Sequence, residues 1–315
     1  MREIKSNGTE SSNKKDRYDF PSAIVRVTAG EGGEALLVLG SEKTALIDCG
    51  MAYCANSLIE NIRKVFHAES KEKNKERTLD YILATHSHYD HIGGMAAVKA
   101  AWPDAVICAG VYASNVLKRQ GAIKMIQEMS NNAAMTYSGT AHVVIDYEKM
   151  QIEKVLNDGD EIVLGDMVLK CLETPGHTNC SLSFALEPLH LLFLSESTGV
   201  VVTDDYVVSC VLKSLTDTYA SIEKCKAYQA KRLIVPHYGI LPESFHERFW
   251  ALLENNLSEK REFVQTRIDQ LSEEEILNQF IPYFWEKQHA YAQPYEAFVE
   301  NAKHEVKAVI AEICN

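Results

Sequence analysis

The chain predicts an α+β fold, with two strand-rich blocks separated by helices and followed by a helical C-terminal segment. Three observations carry this. Short apolar runs ending near glycine recur in groups, stretches of helical spacing lie between the groups, and from about Leu241 helical periodicity is almost continuous.

The first block opens with "AIVRVTA", "EALLVLG" and "TALIDCG", which read as a meander entering a sheet. "SLIENIRKVFHA" places Leu58, Ile62, Val65 and Phe66 on one helical face, and "LDYILATH" returns to a buried strand. "GGMAAVKAAW" reads as a helix start, "AVICAG" as a strand, and about Val111 to Met135 as a helical stretch. Its Met125, Met129 and Met135 suit core filling, an adaptable apolar ligand surface being the alternative. In the second block, strands are predicted at "HVVIDY", "EIVLGDMVLKCLET", "SLSFALE", "HLLFLSE" and "RLIVPH", with "NDGDE" and "LGD" as turns. Beyond Leu241 three helices are expected, with Ser272 as an N-cap and a break near Pro294. They should pack on the sheets and could roof a site with Phe280, Tyr283, Phe284, Trp285, Tyr291, Tyr295 and Phe298. The division expected is a polar tail over 1–20, a main domain over 21–240 and a helical extension over 241–315.

Composition narrows the partners. Across 315 residues, hydrophobic residues make up 46% and charged residues 24%, the balance of an ordinary soluble protein. A net charge of -12, without a basic cluster interleaved with aromatics, argues against nucleic acid. No apolar run reaches bilayer length, so no membrane association is expected. The start lacks the apolar stretch of a signal peptide, and the eight cysteines show neither a CxxC pair nor dense spacing. Reduced thiols in the cytoplasm, a small-molecule substrate and an open question of homodimerisation follow.

The stretch "LATHSHYDHIGG" crowds His86, His88, Asp90 and His91 at the end of an apolar run. Four such groups would each need a separate partner in a core, whereas a metal satisfies them together. Alternation along the segment aims His86 and His88 at one ion and sets Asp90 and His91 beside it. Imidazole and carboxylate donors suit zinc, manganese or iron far better than calcium. One segment cannot close two coordination spheres, so further donors should come from other strand ends. "ETPGHTNCS" supplies His177, "LLFLSESTG" supplies Glu196 and "LIVPHYG" supplies His237.

"THSHYDHIGG", "DGDEIVLGDMVLKCLETPGHTNCSLSF" and "IVPHYG" resemble the motifs of the metallo-β-lactamase superfamily, over roughly Ala23 to Gly239. The resemblance implies a four-layer αββα sandwich with a dinuclear site on one edge. It implies one metal on His86, His88 and His177, a second on Asp90, His91 and His237, and Glu196 as the acidic bridge. Asp48 in "TALIDCG" would support the metal-binding loop. The Asp-His pair at 90 and 91 is similar to the glyoxalase II-like and lactonase-like branches. The helical tail resembles the extensions of glyoxalase II and of the quinolone-signal response thioesterase. One departure stands out: the family has aspartate in a "GD" pair where this chain has Ser195 and Glu196.

Two divalent cations, zinc before iron or manganese, lower the pKa of a bridging water and give hydroxide near neutral pH. Asp90 is the candidate catalytic group, orienting that nucleophile or carrying its proton. The expected activity is hydrolysis of a small thioester or ester, with lactonase, β-lactamase and phosphodiesterase as alternatives. A ligand-sensing or partner-binding protein that retains the metal site is the alternative of another class. Tyr89 and Tyr238 flank proposed ligands and are candidate substrate contacts. Cys180, close to His177, reads as a buried spectator rather than a nucleophile. "LSESTGV" lacks the first glycine of GxSxG, and "AGEGGEA" makes no GxGxxG fingerprint.

Overall fold

The computed structural model describes residues 16–73, 76–287 and 294–314. Its strands are β1 (Ile24–Arg26), β2 (Leu36–Leu39), β3 (Thr44–Ile47), β4 (Tyr81–Leu83), β5 (Val106–Gly110), β6 (Lys154–Leu156) and β7 (Glu161–Val163). They continue with β8 (Val168–Glu173), β9 (Leu182–Glu187), β10 (Leu191–Phe193), β11 (Val200–Thr203), β12 (Tyr206–Val208), β13 (Arg232–Val235) and β14 (Gly239–Ile240). The helices are α1 (Ala55–Lys73), α2 (Tyr89–Ile92), α3 (Met95–Ala101), α4 (Val111–Val116), α5 (Gln120–Ser138), α6 (Leu215–Ala227), α7 (His246–Gln265), α8 (Glu273–Lys287) and α9 (Tyr295–Ile313).

Apolar residues at consecutive strand positions explain the layering, because alternate side chains leave a strand on opposite faces. Leu36, Val38, Ala45 and Ile47 enter a cluster shared with Phe184, Leu186, Phe193 and Ile234 of the second sheet. Their neighbours Leu37, Leu39 and Leu46 face the other way, onto Leu58 and Ile62 of α1 and Val98 of α3. The outer face of the second sheet offers Ala185, Leu192, Leu233 and Val235 to Ile222 of α6 and to Phe249, Leu253 and Leu257 of α7. The result is the αββα sandwich, with a sheet β1-β2-β3-β4-β5-β6 stacked on a sheet β14-β13-β10-β9-β8-β7.

Strand direction decides where the loops gather. β3 and β4 run parallel, so Asp48 and the segment from Thr85 leave the first sheet at the same edge. In the second sheet β10 is parallel to β13 and antiparallel to β9, which is antiparallel to β8. The chain therefore leaves β8, β10 and β13 at one edge, delivering His177, Glu196 and His237 together.

Three expectations change. "HVVIDY" is not a strand: Asn131 Oδ1 accepts from Val143 N at 3.0 Å and Gln127 Nε2 donates to Val143 O at 2.8 Å, so α5 side chains hold backbone groups that a ladder would need. Val111 to Met135 forms two helices, α4 and α5, and Met125 and Met135 are 65% and 52% exposed because α5 is covered along one flank. The tail aromatics Phe280, Phe284 and Phe298 fill the core shared with Leu233 rather than lining a pocket, while Tyr283 and Tyr295 face outward; Tyr291 lies outside the described residues. Three tail helices form as expected, and Ser272 caps α8 reciprocally with Glu275: Ser272 N donates to Glu275 Oε2 at 2.9 Å and Glu275 N to Ser272 Oγ at 3.3 Å. Among the described residues no helix is long and apolar enough to cross a membrane.

Candidate metal centre

Five chain segments converge on this edge. Donor atoms of His86, His88 and His177 form one set and those of Asp90, His91, Glu196 and His237 a second, each within 4.8 Å of one another. His88 Nδ1 lies 3.0 Å from His177 Nε2, and His91 Nε2 lies 3.2 Å from His237 Nε2. Glu196 touches both sets, with Oε1 2.6 Å from His91 Nε2 and 2.9 Å from His237 Nε2, and Oε2 3.1 Å from His177 Nε2. Asp90 Oδ2 stands 3.6 Å from His237 Nε2 and 3.7 Å from His91 Nε2.

Asp48 organises the first segment from a left-handed backbone (φ 58°), a conformation aspartate tolerates better than most residues. Its Oδ1 accepts from Thr85 N at 2.8 Å, and its Oδ2 accepts from Thr85 Oγ1 and from His91 Nδ1, both at 2.7 Å. Because the Thr85 hydroxyl spends its proton on Asp48, its oxygen accepts from His86 Nδ1 at 3.1 Å. Both His86 and His91 then present Nε2 to the interior. His177 is fixed similarly: its Nδ1 donates to Cys210 O at 2.9 Å and its backbone N to Ser197 Oγ at 3.0 Å. His237, like Asp48, has a left-handed backbone, with φ 59°.

These residues fit metal ions. His86 is fully buried and its Nε2 has no hydrogen-bond partner, although its tautomer leaves a lone pair there. Two nitrogens on one tetrahedral zinc sit about 3.3 Å apart, given zinc–nitrogen bonds of about 2.0–2.1 Å, close to the separations found within each set. Burial, with the facing His91 and His88, drives His86 far below the usual imidazole range, and burial followed by His177 lowers His88 to about 3. Burial also lowers His177, so the first set stays neutral and competent to ligate. In the second set burial opposes protonation but loses: Asp90, Asp48 and Glu196 raise His91, and Glu196 raises His237. Glu196 itself is held low, against burial, by His177 and His237. The carboxylates of Asp48, Asp90 and Glu196 thus converge on this second set, and cations bound there would balance them.

The second set is partly open at Asp90 and His237, whose side chains are 17% and 25% exposed, and the first set at the half-buried His88. Tyr89 and Tyr238 enter neither donor set. Tyr89 packs beside Met51 and Cys54, and Tyr238 lies near the Arg17 guanidinium, 5.7 Å from its ring centroid. Cys180 is buried, with Sγ 3.3 Å from Thr178 Oγ1 and 3.4 Å from Ser87 Oγ. A cleft of about 230 Å³ between Val111, Tyr112, Pro175 and Asn179 contains none of the donors.

Three participants escaped the sequence. Cys210 brings a thiol within 4.8 Å of the His177 and Glu196 donors as well as the carbonyl that orients His177; no local motif marks it. Thr85 sits inside the quoted motif but relays rather than ligates. Gly33, in "AGEGGEA", lies against the His91 ring, and a Cβ there would stand 2.6 Å from its Cε1 and Nδ1. Gly33→Ala is expected to displace the ring, costing about 1–3 kcal/mol by overpacking and weakening retention of one metal equivalent. Thermal melts with elemental analysis check this, and a variant with wild-type metal content would show that the ring yields without leaving its place.

Comparison with known proteins agrees with this architecture. A family profile described as "Metallo-beta-lactamase superfamily" matches residues 29–237. "Glyoxylase B2" of Dictyostelium discoideum is 24% identical over 56% of this chain and 54% of its own length, so the chain spans about half of that relative. Human "Acyl-coenzyme A thioesterase MBLAC2" is 26% identical over 73% of this chain and 80% of that protein. A metallo-beta-lactamase family protein from Thermus thermophilus superposes with a TM-score of 0.60 at 16% identity, covering 92% of this chain and 94% of that one. With the profile spanning the edge on which the donors gather and the sandwich matched from end to end, the chain belongs to the metallo-beta-lactamase superfamily.

Proposed function

We propose that the protein is a dinuclear metal-dependent hydrolase of thioesters or esters of small, partly apolar acyl compounds, with zinc as the metal. The single observation that carries this reading is Glu196, whose two oxygens face one donor set each. Imidazole-rich sets favour zinc, with iron and manganese tolerated. Bound there, two cations would supply Lewis acidity and acidify a water held between them.

The chain's own residues supply the rest. His86, His88 and His177 would hold one ion and His91, His237 and Asp90 the other, with Glu196 between. Asp90 Oδ2, on the open side, can take the proton of an attacking water or hold that water in line. Asp48 and the Cys210 carbonyl keep His91 and His177 in the tautomers that ligation needs. Support for a thioester comes from the similar human protein, described as an acyl-coenzyme A thioesterase.

Elemental analysis of protein purified without added metal, followed by a panel of thioester, lactone, β-lactam and phosphodiester substrates, tests the reading. The thioester is expected to turn over fastest and chelation to abolish turnover. Equal rates before and after stripping would overturn it, and a faster lactone, β-lactam or phosphodiester would reassign the substrate class.

A further inference from the structure

The C-terminal helices reach the centre through one buried polar path. Lys260 on α7 and Glu305 on α9 form an ion pair, with Nζ 2.7 and 2.8 Å from the two carboxylate oxygens and side chains 2% and 6% exposed. Such a pair adds little net stability over well-packed apolar residues. Its other contacts therefore matter. Lys260 Nζ also donates to Ser209 O at 2.8 Å, Ser209 N and Oγ both donate to Asn256 Oδ1 at 2.9 Å, and the Val211 N–H donates to Glu305. Cys210 is thereby gripped on both flanks, and its carbonyl is the acceptor for His177 Nδ1.

We infer that Lys260 and Glu305 are positioning residues for His177, setting the Cys210 carbonyl so that the imidazole keeps Nε2 on His88 and Glu196. A pair serving only to join α7 to α9 would have no need of the 209–211 backbone. The inference rests on the reading of His86, His88 and His177 as a metal set. It gives the helical tail a part in the centre although none of the tail's described residues enters a donor set.

Single substitutions would strand a buried charge and could unfold the chain, so the main variant is Lys260→Met together with Glu305→Leu, which removes both charges at similar volume. Phe280→Leu, in the same apolar cluster but outside this path, is the control for lost stability. On the full chain, zinc affinity by chelator competition and the visible spectrum of the cobalt-substituted protein are measured below each melting temperature. The double variant is expected to release one equivalent about tenfold more readily and to show a changed cobalt spectrum, while Phe280→Leu matches wild type. Should the double variant not fold, Lys260→Gln together with Glu305→Gln, which also removes both charges but keeps hydrogen-bonding groups in the path, carries the same comparison. Wild-type affinity and spectrum in the folded pair variant, or an equal change in Phe280→Leu, would overturn the inference and leave the proposed function standing. A wild-type chain that holds no metal would instead overturn the proposed function, and this inference with it.

Discussion

Glu196→Gln is expected to keep the fold, to reduce bound metal from about two equivalents to about one, and to cut kcat/KM by about 10³, or about 4 kcal/mol. Among the described residues the carboxylate is the group that faces both donor sets, and four histidines crowd around it. Glutamine matches its size but offers a single acceptor oxygen, and its NH₂ must point at an imidazole nitrogen or at a cation. Either orientation leaves one set without its shared anionic ligand. The loss should therefore fall on stoichiometry before stability, since the variant is isosteric and the surrounding Ser195, Ser197 and Thr198 are already buried. Elemental analysis beside steady-state kinetics reads both quantities. Two retained equivalents with turnover near wild type would remove Glu196 from the bridge and leave it a neighbour of the metals.

The convergence of the candidate donors was legible because each is a chemically expensive residue placed near the end of an apolar run, and parallel strand direction converts those ends into one edge. What the sequence did not show depends on backbone atoms and on packing between distant segments. The Cys210 carbonyl carries no residue-type signal, and Lys260 meets Glu305 only because α7 and α9 lie side by side, 45 residues apart in the chain. Gly33 matters through the Cβ it lacks, a property visible only once His91 is seen against it. The misread "HVVIDY" has strand-like alternation, yet Asn131 and Gln127 satisfy its backbone first. For the tail aromatics, apolar character announced burial but could not say whether a core or a pocket would bury them. Phe280 and Phe284 went to the core, in one buried cluster with Leu233 of the sheet and Val306 of α9.

Asp48 separates tautomer control from simple stability, and its two substitutions are expected to diverge. Asp48→Ala leaves the Thr85 N–H and hydroxyl and the His91 Nδ1–H without their acceptor in a buried site, about 1–3 kcal/mol for each group left unsatisfied, so a large fall in melting temperature is expected together with metal loss. Asp48→Asn keeps the shape, the left-handed backbone and the Oδ1 acceptor for Thr85 N. Its NH₂, however, would face the Thr85 hydroxyl and His91 Nδ1, and to avoid opposing two donors His91 must move its proton to Nε2, the atom 2.6 Å from Glu196 Oε1. That nitrogen can then no longer ligate. Asn at 48 is therefore expected to melt close to wild type while binding its second metal about 10–100-fold more weakly, with activity falling alongside. Nitrogen-15 shifts of the His91 ring, read beside metal stoichiometry, distinguish the tautomers. An Asp48→Asn protein that binds both metals with wild-type affinity would show that Asp48 supports the loop by shape alone, and that the proton on His91 is set elsewhere.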